Sequence, residues 1–224
     1  VGDLVQTMID GLVHRGPDAE GIWARPGLSL GNRRLKILDL SDAANQPFTD
    51  GEDVLVFNGR IFNYLALQEQ LRSRFTFRTR CDTEVLFRAL QVWGAGALDR
   101  IQGQFAFAFF QSQAETLLLA RDHVGICPLY TIEDEDRLVF SSEIRPLLAL
   151  DSRPINRAAV VDYFAYRYNI QNGRTLFDGI RRFDPGHFVQ FGLKDGSRKQ
   201  KRYWRLAFDE ADRSEEETQG EFNG

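Results

Sequence analysis

The residues best suited to chemistry in this sequence are an asparagine and a glycine that follow an apolar run. Residues 54–57 are continuously apolar, as in a buried strand, and Asn58 and Gly59 come directly after them. An asparagine amide and a glycine backbone N–H can point at one oxygen, which stabilises an oxyanion during acyl transfer. The same pair is also typical of a simple turn between strands.

The cysteines and histidines offer little other chemistry. Cys81 and Cys127 are too few for a disulfide framework, and we expect both to be buried small apolar residues rather than nucleophiles. We expect His14 and His123 to be turn or core histidines. No spacing of Cys and His residues predicts a metal site.

Composition and charge argue against several classes of function. The 224 residues are 43% hydrophobic and 27% charged, with a net charge of −4 and no basic face, so a nucleic-acid partner is not expected. No apolar run of about 18 residues predicts a membrane span. No signal peptide is visible either, so a cytoplasmic location is expected.

Hydrophobic periodicity predicts the elements that position these residues. Apolar positions three and four residues apart predict helices over 4–14, 64–73, 82–93, 142–150 and 157–166. Shorter apolar runs predict strands over 21–24, 28–33, 36–38, 54–57, 105–110, 116–120, 129–132, 137–141, 187–191 and 199–204. Strands in groups with helices in pairs predict an α+β fold with mostly antiparallel sheets. The neighbours Arg121 and Asp122 are expected to form a buried or hinge ion pair.

Five segments, in their order, resemble the N-terminal glutaminase domain of asparagine synthetases. They are HRGPD (14–18), RLKILD (34–39), NGRIFN (58–63), CDTEV (81–85) and RDHVG (121–125), with support from QGQFAFA (102–108) and SE (142–143). The resemblance implies a class II glutamine amidotransferase domain with the four-layer αββα sandwich of N-terminal nucleophile hydrolases. It assigns 1–206 to that domain and 207–224 to a polar tail that starts a linker to a synthetase domain.

The resemblance also implies a site for L-glutamine. Arg34 corresponds to the arginine that binds the α-carboxylate, and Asp82 to the acid that binds the α-ammonium. Asn58 and Gly59 correspond to the oxyanion donors. The residues themselves also allow a surface ion pair for Arg34 and a helix N-cap for Asp82. The pocket is further expected to be lined by Leu35, Lys36, Ile37, Leu38 and Arg60.

The sequence departs from the family pattern at the nucleophile and beside the amine-binding acid. The family attacks glutamine with a cysteine at the mature N-terminus, whereas this sequence begins at Val1. We therefore expect a first strand and the nucleophile to precede Val1, and the chain as given to be inactive. Arg60 stands where the family has Glu, and Arg80 and Cys81 stand where it has Gly and Ser. These cations would repel the α-ammonium unless they point outward or pair with acids such as Glu84.

Three functions remain open from the sequence. The domain hydrolyses glutamine and supplies ammonia to ATP-dependent amide formation in a C-terminal synthetase domain of the same polypeptide, with asparagine as the default product. Alternatively, it is a non-catalytic scaffold, as in β-lactam synthetase-like relatives. An unrelated sugar- or nucleotide-binding domain rests on generic pattern alone. No cofactor is expected in this domain, and ATP and Mg are implied for the synthetase domain. The resemblance implies a possible homodimer, and no feature of the sequence determines the oligomeric state.

Overall fold

The computed structural model describes residues 2–135, 137–167 and 173–207. Five α-helices lie where the periodicity predicts them, and the bounds of the third and fifth agree with the predicted ones. The helices are α1 (Gly2–Asp10), α2 (Tyr64–Leu71), α3 (Asp82–Trp93), α4 (Ile144–Leu150) and α5 (Arg157–Tyr166). Of the expected polar tail, residues 208–224 lie outside the described residues. No helix among the described residues is both long and apolar enough to cross a membrane.

The strands form three antiparallel sheets. One has six strands in the order β11-β10-β6-β5-β4-β3, a second pairs β1 with β2, and a third has the order β8-β7-β9. The bounds are β1 (Ala19–Arg25), β2 (Leu28–Arg34), β3 (Phe48–Asp50), β4 (Asp53–Ile61), β5 (Gly103–Gln111), β6 (Thr116–Arg121), β7 (Tyr130–Glu133), β8 (Leu138–Ser141), β9 (Arg181–Arg182), β10 (His187–Gly192) and β11 (Arg198–Arg202).

Three buried apolar clusters separate four layers. The first lies between α2/α3 and the six-stranded sheet and includes Leu55 and Phe57. The second lies between that sheet and the two smaller sheets, and it includes Val54 and Val56. The third packs α1 and α4 onto β7. Strand β4 is therefore apolar on both faces, which explains its continuous apolar run. The predicted αββα sandwich is confirmed.

One local prediction is wrong, and one alternative is excluded. Residues 36–38 form a loop rather than a strand. The backbone N–H of Lys36 donates to Asp18, and the Arg34 side chain donates to the carbonyl oxygen of Ser41, so these groups are not paired with another strand. Asn58 and Gly59 do not form a turn. Strand β4 continues through them, and they lie opposite Ala106 and Phe105 of β5. The short strands β3 and β9 were not predicted.

The two edge strands of the six-stranded sheet, β3 and β11, differ in length and in charge. At one end, β3 has three residues and β4 beside it has nine. At the other end, β11 has the sequence RKQKR, and all five residues are exposed. The basic side chains of β11 are therefore solvated.

Candidate active site

A cavity of about 1330 Å³ lies between the two sheet layers, and all predicted site residues except Lys36 line it. Its lining includes Arg34, Asn58, Gly59, Arg60 and Asp82. These residues come from the end of β2, the end of β4 and the start of α3. The layered packing thus brings together residues that are up to 48 positions apart in the sequence, between 34 and 82.

Asn58 and Gly59 have the features expected of donors to a ligand. The Nδ2 atom of Asn58 is buried and has no hydrogen-bond partner among the described residues. Gly59 has φ of 141°, and a Cβ there would lie 2.1 Å from the carbonyl oxygen of Gln104 on β5. Only glycine fits this conformation and this close approach. The Asn58 donor therefore remains free to bind an oxygen within the cavity.

Arg34 is buried, with 7% of its surface exposed, so it is not a surface ion pair. Its Nη1 donates to the carbonyl oxygen of Ser41 at 2.9 Å and to Oδ1 of Asn45 at 2.8 Å, and its Nη2 donates to the carbonyl oxygen of Asp39. An arginine has five N–H donors. Nε and one hydrogen of Nη2 have no partner among the described residues, and this edge of the guanidinium suits a carboxylate bidentately.

The loop after Arg34 contributes apolar side chains to the cavity at three of its four predicted positions, namely Leu35, Ile37 and Leu38. Lys36 is different, because its backbone N–H donates to Asp18 at 2.8 Å and its Nζ pairs with Asp42 at 2.8 Å. Lys36 is not part of the cavity lining, and its side chain is engaged by the loop itself.

Asp82 occupies the first position of α3 and is 3% exposed. It does not cap its own helix. One carboxylate oxygen accepts the backbone N–H of Ile61 at 2.9 Å, and the other lies 3.4 Å from the thiol of Cys81. Burial raises the pKa of Asp82, and the Ile61 N–H, the Cys81 thiol and the charge of Arg60 oppose that rise. A cationic ligand would favour the ionised form in the same way as Arg60 does.

Arg60 and Arg80, the two arginines that depart from the family pattern, differ in their position relative to the cavity. Arg60 is exposed, lines the cavity and lies close enough to lower the pKa of Asp82. Arg80 is exposed and is not part of the lining. Neither pairs with Glu84 in the described structure. Glu84 instead accepts the backbone N–H groups of residues 78 and 79 and lies 4.0 Å from Arg88.

Asp39 connects the two sides of the site, and sequence reasoning gave it no role. Its Oδ2 accepts the backbone N–H of Arg80 at 3.0 Å, and its Oδ1 accepts that of Ser41 at 2.9 Å. Hydrogen bonds from Ser41 and from the Arg80 backbone lower the pKa of Asp39 to about 2. Since Arg34 binds the Asp39 carbonyl, the residue links the Arg34 loop to the turn before Asp82. Its place in the segment RLKILD was the only signal.

The cysteines are buried, as predicted. Burial raises the pKa of the Cys81 thiol, and it raises that of Cys127 to about 11, with a further contribution from Asp122. Both thiols are thus protonated near neutral pH, and the thiolate is the nucleophilic form.

The histidines differ in their surroundings. Exposed His14 lies 3.0 Å from Glu143, while His123 packs edge-on against Phe105, Tyr203 and Trp204. Both histidines lie in turns, in agreement with the prediction of turn or core histidines.

The predicted ion pair of Arg121 with Asp122 is wrong. Arg121 donates to three backbone carbonyl oxygens, those of residues 125, 127 and 183. Asp122 accepts backbone N–H groups, including those of Gly125 and Cys127 at 2.7 and 2.8 Å. Each side chain fixes the loop that follows β6. Within 2–135, 137–167 and 173–207, no group of three or more Cys, His, Asp or Glu side chains is arranged to hold a metal ion.

Part of the cavity separates two edge strands of the smaller sheets. Strand β2 lines it along its whole length and so does β8, but the two belong to different sheets. We call this part the slot between β2 and β8. On the β2 side, Oγ of Ser29 and Oδ1 of Asn32 are buried without a partner among the described residues. Unpaired strand edges and buried unpaired polar atoms both favour an extended peptide as occupant.

Comparisons with known proteins agree with this geometry. Residues 2–204 match the family described as glutamine amidotransferase domain. The chain is 32% identical to glutamine-hydrolyzing asparagine synthetase 1 of Bacillus subtilis over 92% of this chain and 33% of that protein. It is also 32% identical to the amidase chyE of Penicillium rubens over 93% of this chain and 31% of that protein. It thus spans about a third of the length of these curated relatives.

A solved structure shares the fold. Glutamine phosphoribosylpyrophosphate amidotransferase from Bacillus subtilis superposes with a TM-score of 0.65 at 19% identity, over 92% of this chain and 47% of that one. At this identity the likeness concerns the fold. The sequence match and the layered fold lead to one conclusion: the chain belongs to the glutamine amidotransferase domain family, as a class II domain of the asparagine synthetase type.

Proposed function

We propose that the chain is the glutamine-hydrolysing half of an asparagine synthetase-like enzyme, which converts L-glutamine to glutamate and ammonia. The observation that carries this proposal is the buried, unpartnered Nδ2 of Asn58 in a cavity that Arg34 and Asp82 also line. A buried donor without a partner costs about 1–3 kcal/mol in a folded protein. A ligand oxygen that accepts this N–H offsets the cost.

The two ends of the amino acid have matching partners. The free edge of the Arg34 guanidinium binds the α-carboxylate, and the Asp82 carboxylate, aided by its burial, binds the α-ammonium. Glutamine held at both ends directs its side-chain amide toward Asn58 and Gly59. Such positioning converts a bimolecular reaction into an effectively unimolecular one.

The nucleophile in this proposal is a cysteine on an extended segment that enters the slot between β2 and β8. Its thiolate adds to the amide carbon, and the N–H groups of Asn58 and Gly59 stabilise the resulting oxyanion. The α-amine of the cysteine, which has taken the thiol proton, passes it to the amide nitrogen as the C–N bond breaks, so that ammonia leaves and a thioester remains. Water hydrolyses the thioester, which releases glutamate and restores the thiol. Cys81 and Cys127 are unsuited to this role because their thiols stay protonated.

The remaining steps belong to the part of the relatives that this chain does not span. Ammonia passes to a synthetase domain, which uses ATP and Mg to activate a carboxylate and forms an amide. The similarity to asparagine synthetases supports asparagine as the product.

The test is the variant Asn58→Asp in the polypeptide as the gene encodes it. The change keeps the shape of the side chain but removes the N–H donor, so kcat for glutamate release should fall by about 10²–10³. Gln200→Glu is the matched control, because it makes the same change from amide to carboxylate on the exposed strand β11, outside the cavity lining. Equal kcat in Asn58→Asp and wild type, with an unchanged melting temperature, would contradict the proposal.

The second candidate is a non-catalytic scaffold, and Arg60 is the observation that favours it. This cation lines the cavity beside Asp82, where the α-ammonium of glutamine would lie. In that case the enzyme uses free ammonia or an internal amine. Glutamine labelled with ¹⁵N in its side-chain amide separates the two candidates. Labelled nitrogen in the amide product excludes the scaffold, and label that stays in glutamine excludes the hydrolase.

A further inference from the structure

Strand β2 directs the side chain of Asn32 into the space between the two sheet layers. A Cβ added to Gly31 would lie 2.5 Å from Val5 of α1, so position 31 faces that helix. Successive side chains of a strand point to opposite faces, so positions 30 and 32 face the six-stranded sheet. Leu30 accordingly belongs to the buried cluster between the sheets. Asn32 follows it on the same face and lines the cavity.

Strand β4 has the same arrangement on the other side of the cavity. Val54 and Val56 belong to the same buried cluster as Leu30, whereas Leu55 belongs to the cluster beneath α2 and α3. Asn58 continues the even-numbered face, so its side chain also projects into the space between the sheets. Each strand thus passes from apolar residues that share one cluster to an asparagine that lines the cavity.

The two asparagines offer complementary atoms to the cavity. The Nδ2 atom of Asn58 and the Oδ1 atom of Asn32 are both buried without a hydrogen-bond partner among the described residues. The first is a donor and the second is an acceptor. Because a buried polar atom without a partner is costly, the pair indicates a ligand that supplies an acceptor and a donor side by side. A primary carboxamide is such a group, since its oxygen accepts and its NH₂ donates.

We propose that Asn32 recognises the amide nitrogen of the glutamine side chain and so determines the preference of the site for glutamine over its product, glutamate. This inference rests on the proposed function for the identity of the ligand. The amide oxygen of glutamine accepts from Asn58, and an amide N–H donates to Oδ1 of Asn32. The contact leaves the chemistry of the nucleophile unchanged and concerns only which side chain the cavity accepts.

Glutamate lacks the donor that Asn32 needs. In glutamate, the second carboxylate oxygen takes the place of the amide nitrogen, so two acceptors meet with no hydrogen between them. A site built to bind an N–H group rejects an analogue that lacks it, because the buried polar atom then stays unpaired. Asn32 therefore weakens the binding of the product and favours its release.

A peptide in the slot between β2 and β8 does not supply this donor through its strand pairing. Such a peptide pairs with the backbone edge of β2, whereas the Asn32 side chain stands roughly perpendicular to the sheet. The α-amine of a cysteine at the end of that peptide is the alternative donor for Oδ1. That contact would position the nucleophile, but it would not distinguish glutamine from glutamate because neither ligand takes part in it.

The test is the variant Asn32→Leu in the polypeptide as the gene encodes it. Leucine has nearly the same shape as asparagine but no acceptor. Isothermal titration calorimetry gives the Kd of L-glutamine and of L-glutamate, and where glutamine is hydrolysed, initial rates give the KM of glutamine and the Ki of glutamate instead. The ratio of the glutamate constant to the glutamine constant should fall about 10-fold, because glutamine loses a hydrogen bond and glutamate loses an unfavourable contact.

Two further variants complete the test. Asn32→Asp restores an acceptor at the same position, so it should keep the ratio at or above the wild-type value. Gln200→Leu replaces an amide on the exposed strand β11, outside the cavity lining, and should leave both constants unchanged.

The outcomes separate this inference from the proposed function. An unchanged ratio in Asn32→Leu, whether kcat falls or both ligands bind equally more weakly, overturns the role of Asn32 in recognition. In the first case Asn32 positions the cysteine, and in the second it supports the cavity as a whole. A wild-type polypeptide that binds glutamine without hydrolysing it refutes the proposed function, and the ratio of the two Kd values still decides the role of Asn32.

Discussion

Replacing Arg60 with glutamate tests whether the cavity receives the ammonium end of glutamine beside Asp82. Arg60 lines the cavity and acts on the Asp82 carboxylate through its charge. In wild type, this cation would repel the α-ammonium of a bound amino acid. A glutamate at position 60 replaces that repulsion with attraction, so Arg60→Glu should bind L-glutamine more tightly.

The magnitude follows from the exposure of Arg60. Because the side chain reaches water, two unit charges about 4 Å apart interact with about 1 kcal/mol. Reversing the sign changes the interaction by about 2 kcal/mol, which corresponds to a Kd about 30-fold lower. Salt should reduce the gain, since the Debye length falls to about 3 Å at 1 M ionic strength. Glutamate at position 60 also removes a charge that lowers the pKa of Asp82, so the gain should shrink as the pH falls and Asp82 is protonated.

Isothermal titration calorimetry with L-glutamine measures this Kd directly and does not require a nucleophile. Arg80→Glu is the matched control, because Arg80 is equally charged and exposed but lies outside the cavity lining. We expect its Kd to stay near the wild-type value. If Arg80→Glu tightened binding as much as Arg60→Glu, a general charge effect would explain both. If Arg60→Glu left Kd unchanged, the amine end of glutamine would not lie at Asp82.

Three further predictions concern the supports of the site. A strained φ alone costs about 1–3 kcal/mol. Gly59→Ala should lower the free energy of unfolding by more than this, because the new Cβ would also clash with the backbone of β5. Urea denaturation checks this against Gly27→Ala, where φ is +81° and the space is open. Arg34→Lys should lower the free energy of unfolding by at least about 1.5–3 kcal/mol, which is the contribution of one charged hydrogen bond. It should also abolish glutamine binding in calorimetry. A variant that is as stable as wild type and binds glutamine normally would contradict this prediction. The pKa of Asp39 is 3.8 in the unfolded chain and about 2 in the folded protein. Its contribution to the free energy of unfolding is therefore complete above pH 3.8 and is lost as the pH falls toward 2. Asp39→Asn should remove that part of the acid dependence in thermal melts between pH 2 and 4, and an unaltered pH profile would contradict it.

The sequence predicted those parts of the fold that depend on local periodicity. Helix α3 and helix α5 begin and end where the apolar spacing places them, and the strand pairs β5/β6 and β7/β8 lie where two apolar runs flank a turn. Periodicity reports which face of an element is covered, and it works for elements that are long enough to repeat. The three-residue β3 and the two-residue β9 are too short for this signal.

The errors arose where a distant residue decides the local structure. Asn58 and Gly59 suggest a turn when read alone, but pairing with β5, more than 40 residues later, extends the strand through them. Asp82 suggests a helix cap, yet its oxygen serves the N–H of Ile61, 21 residues earlier. Arg121 and Asp122 were expected to pair because they are neighbours, although their partners are backbone groups of other segments, among them Phe105 on β5 and Phe183. Long-range partners of this kind leave no spacing pattern in the sequence.

The uneven ends of the six-stranded sheet have a consequence for self-association. Five exposed residues with four positive charges form β11, so another chain that approached this border would meet repulsion before any backbone pairing began. At the far border, the brevity of β3 offers room for only a few ladder bonds. The six-stranded sheet is therefore protected at both of its edges against growth by strand addition, whereas the unpaired edges of β2 and β8 face the slot inside the domain.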